Sequence, residues 1–118
     1  MHILPRADEA EIALSKLTEY ALEPIKSRGK SVAFRDVLGY TKKNADRLID
    51  NIRRNLKNFP AEEKGDKGYG KIYTVQMELQ GETGKSANVI TVWLDDKYID
   101  KMRLISVYIK KRKADIRD

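Results

Sequence analysis

The sequence predicts an α+β domain in which two to three N-terminal helices pack on a three- to four-stranded antiparallel sheet. Three observations carry this expectation. Apolar residues recur at helical spacing through the first half of the chain. After residue 70 the pattern changes to strict alternation, the period of a half-buried strand. The length, 118 residues of which 41% are hydrophobic, suits one core that folds without metal or disulfide support. A single domain is expected over residues 1–118, with 110–118 fraying as a basic tail.

Leu4-Pro5-Arg6-Ala7-Asp8 reads as an extended lead-in. Ile12 and Leu14 alternate around Ala13, so residues 10–14 form a short strand or the start of a helix. Leu14, Leu17 and Ala21, with Leu22 beside them, then follow helical spacing; Ser15 is the candidate cap and Pro24 the stop. Lys26-Ser27-Arg28-Gly29-Lys30 is a basic turn. A second helix over Ser31–Leu38 carries Val32, Ala33, Phe34, Val37 and Leu38 inward, and Gly39 is placed to end it in the left-handed conformation. The third helix is capped by Thr41. It buries Ala45, Leu48, Ile49, Ile52 and Leu56, and Phe59-Pro60 ends it.

Residues 61–70 combine three glycines with a charge cluster and read as a loop. Tyr73, Val75, Met77 and Leu79 alternate with Thr74, Gln76 and Glu78 as a first strand, and residues 80–85 make a hairpin turn. A second strand over Ala87–Leu94 is apolar on both faces, which predicts a central strand covered on both sides. Residues 103–109 make a third strand, and Lys110–Lys113 begins the tail. The simplest packing puts the helices on one sheet face and leaves the other partly open as a working surface.

Composition narrows the chemistry. With no cysteine, disulfides, thiolate metal sites and a cysteine nucleophile are excluded. The one histidine, His2, stands at the start, so histidine acid/base catalysis in the core and a multi-histidine metal site are not expected. No cofactor is implied. Asp95-Asp96 and Glu62-Glu63 are adjacent carboxylates in predicted loops without an evident third ligand, so no metal is expected there either. No apolar run approaches the roughly 18 residues of a membrane span. No export signal is evident, and the expected location is cytoplasmic. The excess of 24 Lys and Arg over 18 Asp and Glu, a net charge of +6, favours an anionic partner such as RNA, DNA or an acidic protein.

Common enzyme motifs are missing; Arg28-Gly29-Lys30-Ser31 matches only the tail of a phosphate-binding loop. The constellation that remains lies on the strands. Thr91 and Trp93 share one face of the second strand, Ser106 and Tyr108 one face of the third. Brought together, their hydroxyls and rings would stack a base and bind a phosphate or sugar; apart, they are core aromatics with satisfied polar ends. Simple alternation puts Arg103 on the side opposite Ser106, where it reaches a site edge or enters an ion pair. Lys26, Arg28 and Lys30 make a phosphate-contacting turn or an exposed basic loop.

The chain also resembles an uncharacterised bacterial and phage domain family, found alone, at the C-termini of phage minor-head proteins and at the tips of polymorphic toxins. The resemblance is carried by Leu4-Pro5-Arg6-Ala7, Lys16–Leu22, Ala33–Tyr40, Asn44-Ala45-Asp46, Gly68-Tyr69-Gly70, Ala87–Trp93 and Arg103–Tyr108. The order of helices then strands is similar to the ribonuclease toxin superfamily that groups barnase with colicins D and E5 and RelE-type toxins. The resemblance implies a toxin-like, metal-independent ribonuclease or RNA-binding domain, and an acidic immunity or antitoxin protein as a further partner. On that reading Lys30, Arg103, Ser106 and Thr91 are the catalytic residues, and Trp93, Tyr108, Lys26 and Arg28 bind RNA. The alternative is a non-enzymatic phage or mobile-element accessory module that binds protein or nucleic acid.

Overall fold

The computed structural model describes residues 2–25 and 27–110. Within them, α1 (Leu14–Lys16) runs on as a wider π-helical turn over Leu17–Ala21. The second segment, α2 (Arg28–Ala33), does the same over Phe34–Leu38. A 3-10 turn, Lys42–Asn44, leads into α3 (Ala45–Asn55). Four antiparallel strands follow, β1 (Ala61–Asp66), β2 (Gly70–Gln80), β3 (Ser86–Asp96) and β4 (Lys101–Ile109), side by side in chain order. Among the described residues no helix is long and apolar enough to cross a membrane.

Local signals explain several boundaries. Gly39 ends the second helical segment at φ 77°, as its position predicts. Thr41 caps the 3-10 turn before α3: its hydroxyl accepts from Lys43 N at 3.3 Å, and the Asn44 side chain returns a bond to Thr41 N at 2.8 Å. Ser15 does not cap α1; the helix starts one residue earlier and has no side-chain cap. The second helix starts at Arg28 rather than Ser31, so Arg28 and Lys30 sit on its first turn and not in a loop before it.

The helices cover one sheet face. Leu17, Phe34, Leu38, Leu48 and Ile52 pack against Val75, Met77, Val89, Trp93, Leu104 and Val107 in a single core. Asn51 is the buried polar member of α3; its amide donates to Tyr40 Oη at 3.0 Å and to Gln80 O at 2.9 Å, tying helix to sheet.

Three sequence expectations change here. Residues 61–66 are not loop but the edge strand β1, paired to β2 from Ala61↔Val75 to Asp66↔Lys71, with an irregularity between Glu63 and Gly65. An edge strand is held by backbone bonds and keeps its side chains in water, so it need show no apolar alternation; charges and a bulge also protect it from pairing further. Residues 10–14 do not supply a strand: only Glu11 bridges to Arg103, in parallel. Finally β3 is central, but its two faces are covered unequally: Ala87, Val89, Thr91 and Trp93 face the helices, whereas on the other face Leu94 is buried and Ile90 and Val92 are half-buried.

β4 carries a bulge. Val92 pairs with Ser106 but Trp93 pairs with Leu104, which leaves Ile105 as the extra residue. The phase of the strand flips there. Met102 and Leu104 face the core before the bulge and Val107 after it, so Arg103, Ser106 and Tyr108 all share the open face. Simple alternation puts Arg103 and Ser106 on opposite sides, and the bulge overturns it.

Candidate nucleic-acid interface

Thr91 and Trp93 do not belong to the open face. Both are fully buried on the helix side. The Trp93 indole N–H donates to Thr91 Oγ1 at 2.8 Å, and the Thr91 hydroxyl donates to Val75 O at 2.8 Å. Thr91 lies opposite Val107, and it is Val92 that lies opposite Ser106. Trp93 therefore cannot stack a base, and Thr91 cannot orient a phosphate. Two residues apart on one strand face, they satisfy each other's polar atoms within the core.

Arg103 is committed as well. Its Nε donates to Asp96 Oδ2 at 3.0 Å in a half-buried pair. Asp96 Oδ1 accepts from Tyr98 N at 2.9 Å. The Tyr98 N–H first, and then the Arg103 guanidinium, hold the Asp96 carboxyl below the usual carboxylate range against the opposing effect of burial. Asp95, on the opposite face, pairs with Arg6, which also bonds Asp100 Oδ1 at 3.1 Å. The two adjacent carboxylates are thus divided between two arginines that pin the β3–β4 turn.

What the fold does bring together lies at the far end of β4, roughly 13 Å along the strand from Arg103. Lys30 reaches from α2 so that its Nζ lies 5.6 Å from the centroid of the Tyr108 ring, within cation–π range. Lys110, two residues after Tyr108, bonds Gln76 Oε1 at 3.3 Å. Two grooves meet at this point. One, of about 580 Å³, crosses the open sheet face and is lined by Pro60, Ala61, Glu62, Lys64, Thr74, Gln76, Ile90, Tyr108 and Lys110. The other, of about 530 Å³, lies between α2 and β4 and is lined by Gly29, Lys30, Ala33, Val37, Tyr108, Ile109 and Lys110. Tyr108 and Lys110 border both. Lys30 approaches the ring from the second groove and does not line the first.

A family model described as a domain of unknown function, DUF6883, matches residues 3–111. The chain belongs to the DUF6883 family. No curated protein and no solved structure matches it.

In this DUF6883 domain the candidate residues thus divide three ways. Lys30 and Tyr108 meet at the grooves. Ser106 is half-buried on the same face but lines neither groove, and Arg28 is exposed at the start of α2. Thr91, Trp93 and Arg103 hold the fold, and Lys26 lies outside the described residues, as does the tail beyond Lys110. Glu62, Lys64, Thr74, Gln76 and Lys110 also line the open-face groove, though the sequence marks Glu62 only as half of a carboxylate pair and Lys110 only as the start of a basic tail. The polar half of the β2 alternation, Thr74 and Gln76, was the sequence signal for two of them. Lys110 follows Tyr108 at strand spacing, which was the signal for a third. Nothing in the sequence places Glu62 and Lys64 on the sheet, because β1 reads as a loop.

Proposed function

We propose that this domain binds single-stranded RNA on the open face of its sheet, as an RNA-directed domain of the ribonuclease-toxin kind. The observation that carries the proposal is the cluster of Lys30, Tyr108 and Lys110 where the 580 Å³ groove meets the groove between α2 and β4. A tyrosine beside a groove offers a π-face to any base, worth about 1–3 kcal/mol per stacked base. Ammonium groups on either side meet the flanking phosphates, and the net charge of +6 draws the polyanion in. Ser106, further along the same face, is in reach of a sugar or phosphate of the same strand. The resemblance to domains at the tips of polymorphic toxins, which implies a nuclease-like effector, supports an RNA target.

Cleavage is the sharper form of this reading, and Glu62 favours it. It is the carboxylate lining the groove, and Lys64 Nζ stands 2.8 Å from its Oε1. A carboxylate can take the proton from a 2′-hydroxyl as that oxygen attacks the adjacent phosphorus. The 5′-oxygen then leaves with a proton from the Lys64 ammonium, which recovers one from the Glu62 carboxyl 2.8 Å away, and a 2′,3′-cyclic phosphate remains. Lys110, which lines the same groove, would offset the charge on the five-coordinate phosphorus.

Retention of a labelled single-stranded RNA at low and moderate salt tests binding. Binding that weakens with salt, and weakens further in Lys30→Ala and Tyr108→Ala, is expected. No retention at either salt overturns the proposal. Incubation of the RNA with chelator present tests cleavage: cyclic-phosphate ends that vanish in Glu62→Gln support it, and intact RNA leaves binding alone.

A further inference from the structure

We infer that the groove between α2 and β4 is a second nucleobase site, which takes the base next in sequence to the one held against Tyr108. The inference rests on the RNA reading and deepens it. Two short pieces of sequence build the groove. Lys30, Ala33 and Val37 are spaced i, i+3 and i+7 and line it from the helical side, while Phe34 and Leu38 turn into the core. Tyr108 and Ile109 line it from β4, where consecutive side chains leave the strand on opposite sides. Ala33 is small, and a Cβ on Gly29 would meet nothing within 4 Å, so the groove stays open between these walls. Its 530 Å³ is within the roughly 300–1,000 Å³ of small-molecule sites.

Three observations choose the occupant. The walls are apolar: Ala33, Val37 and Ile109 are half-buried and keep part of their surface toward the groove. The charge is of one sign: Lys30 and Lys110 line the groove, no carboxylate does, and neither lysine enters an ion pair among the described residues. An apolar slot beside two ammonium groups suits a ligand with an apolar ring and an anionic group, which is the chemistry of a nucleotide. Finally, the slot is continuous with the open-face groove, because Tyr108 and Lys110 border both. An RNA strand that lays one base against Tyr108 on the sheet side can pass round β4 and put the next base in the slot. The phosphate between the two bases then lies beside Lys110, at the corner where Lys30 Nζ stands 5.6 Å from the Tyr108 ring centroid. Apart from the two ammonium groups and the Tyr108 hydroxyl, no side chain lining the slot offers a hydrogen bond. The slot therefore accepts a base by its apolar faces and not by the pattern on its edge.

The test uses the full chain and three ligands: the 5′-phosphorylated adenosine dinucleotide, and the same molecule lacking its first or its second base. Each is titrated by NMR. The complete dinucleotide should bind at least fivefold more tightly than either abasic form. It should also shift the methyl signals of Ala33, Val37 and Ile109, which inorganic phosphate should leave in place. These shifts are read on the wild type and need no variant to fold. Ala33→Phe fills the slot. It should weaken the complete dinucleotide at least fivefold and make one of the two base removals cost nothing further, while the other keeps its cost. Equal affinity for the complete dinucleotide and either abasic form, unmoved methyl signals, or full affinity in folded Ala33→Phe would each overturn the inference. Retention of a longer single-stranded RNA is measured separately. If it persists when the dinucleotide test fails, only the second base site is lost; if it is absent at both salts, the RNA reading falls and the slot falls with it.

Discussion

Replacing Thr91 by valine separates a core residue from a catalytic one. The side chains have the same shape, so the change removes a hydroxyl and little else. That hydroxyl is fully buried, accepts the Trp93 indole N–H at 2.8 Å and donates to Val75 O at 2.8 Å. In Thr91→Val the indole N–H is left without a partner inside the core, at a cost of about 1–3 kcal/mol. The added methyl recovers at most about 0.8 kcal/mol by burial. The net loss should be about 1–2 kcal/mol, which for a domain of this size lowers Tm by roughly 4–10 °C. Thermal and urea unfolding, followed by far-ultraviolet circular dichroism, measure it. Trp93→Phe in the same background should cost less than in the wild type, because the orphaned donor goes with it. RNA retention at a temperature where both proteins are folded should be unchanged. An unshifted Tm together with lost RNA retention would refute the reasoning and return the hydroxyl to the site.

Other outcomes rest on the same geometry. If Lys30 and Lys110 each meet a phosphate, Lys30→Ala/Lys110→Ala should reduce the salt slope of log K for single-stranded RNA by about 1.4, at about 0.7 per contact; an unchanged slope would place the RNA elsewhere. Asp96 has a depressed folded-state pKa, so its contribution to stability is present above the unfolded carboxylate value of about 3.9 and is lost as pH falls through the lower folded value. Asp96→Asn should therefore flatten the acid limb of the stability profile, read by unfolding midpoints between neutral pH and about pH 2. Gly70 has φ 137°, and a Cβ there would overlap the Asp95 carbonyl oxygen. Gly70→Ala should cost about 1–3 kcal/mol in backbone strain alone and loosen the start of β2, visible as a lower unfolding midpoint and faster amide exchange around Lys97.

Periodicity by itself determined the layers of this protein. Helical spacing through Leu17, Phe34, Leu48 and Ile52, then alternation through Val75, Met77 and Leu79, commits those residues to one core whatever the loops do, because burial is decided by which face an apolar residue occupies. Composition likewise removed cysteine chemistry. Local pattern could not show β1, whose stability comes from backbone pairing with β2 and not from burying side chains. Nor could it show the bulge at Ile105. Whether an extra residue is accommodated depends on the partner strand, and that residue reversed the side of the sheet assigned to Arg103. The same limit governs the site. Trp93, Thr91 and Tyr108 have equally plausible chemistry in one dimension. Only the register of β3 against β4, with α2 lying across the end of the sheet, buries the first two and sets Tyr108 beneath Lys30.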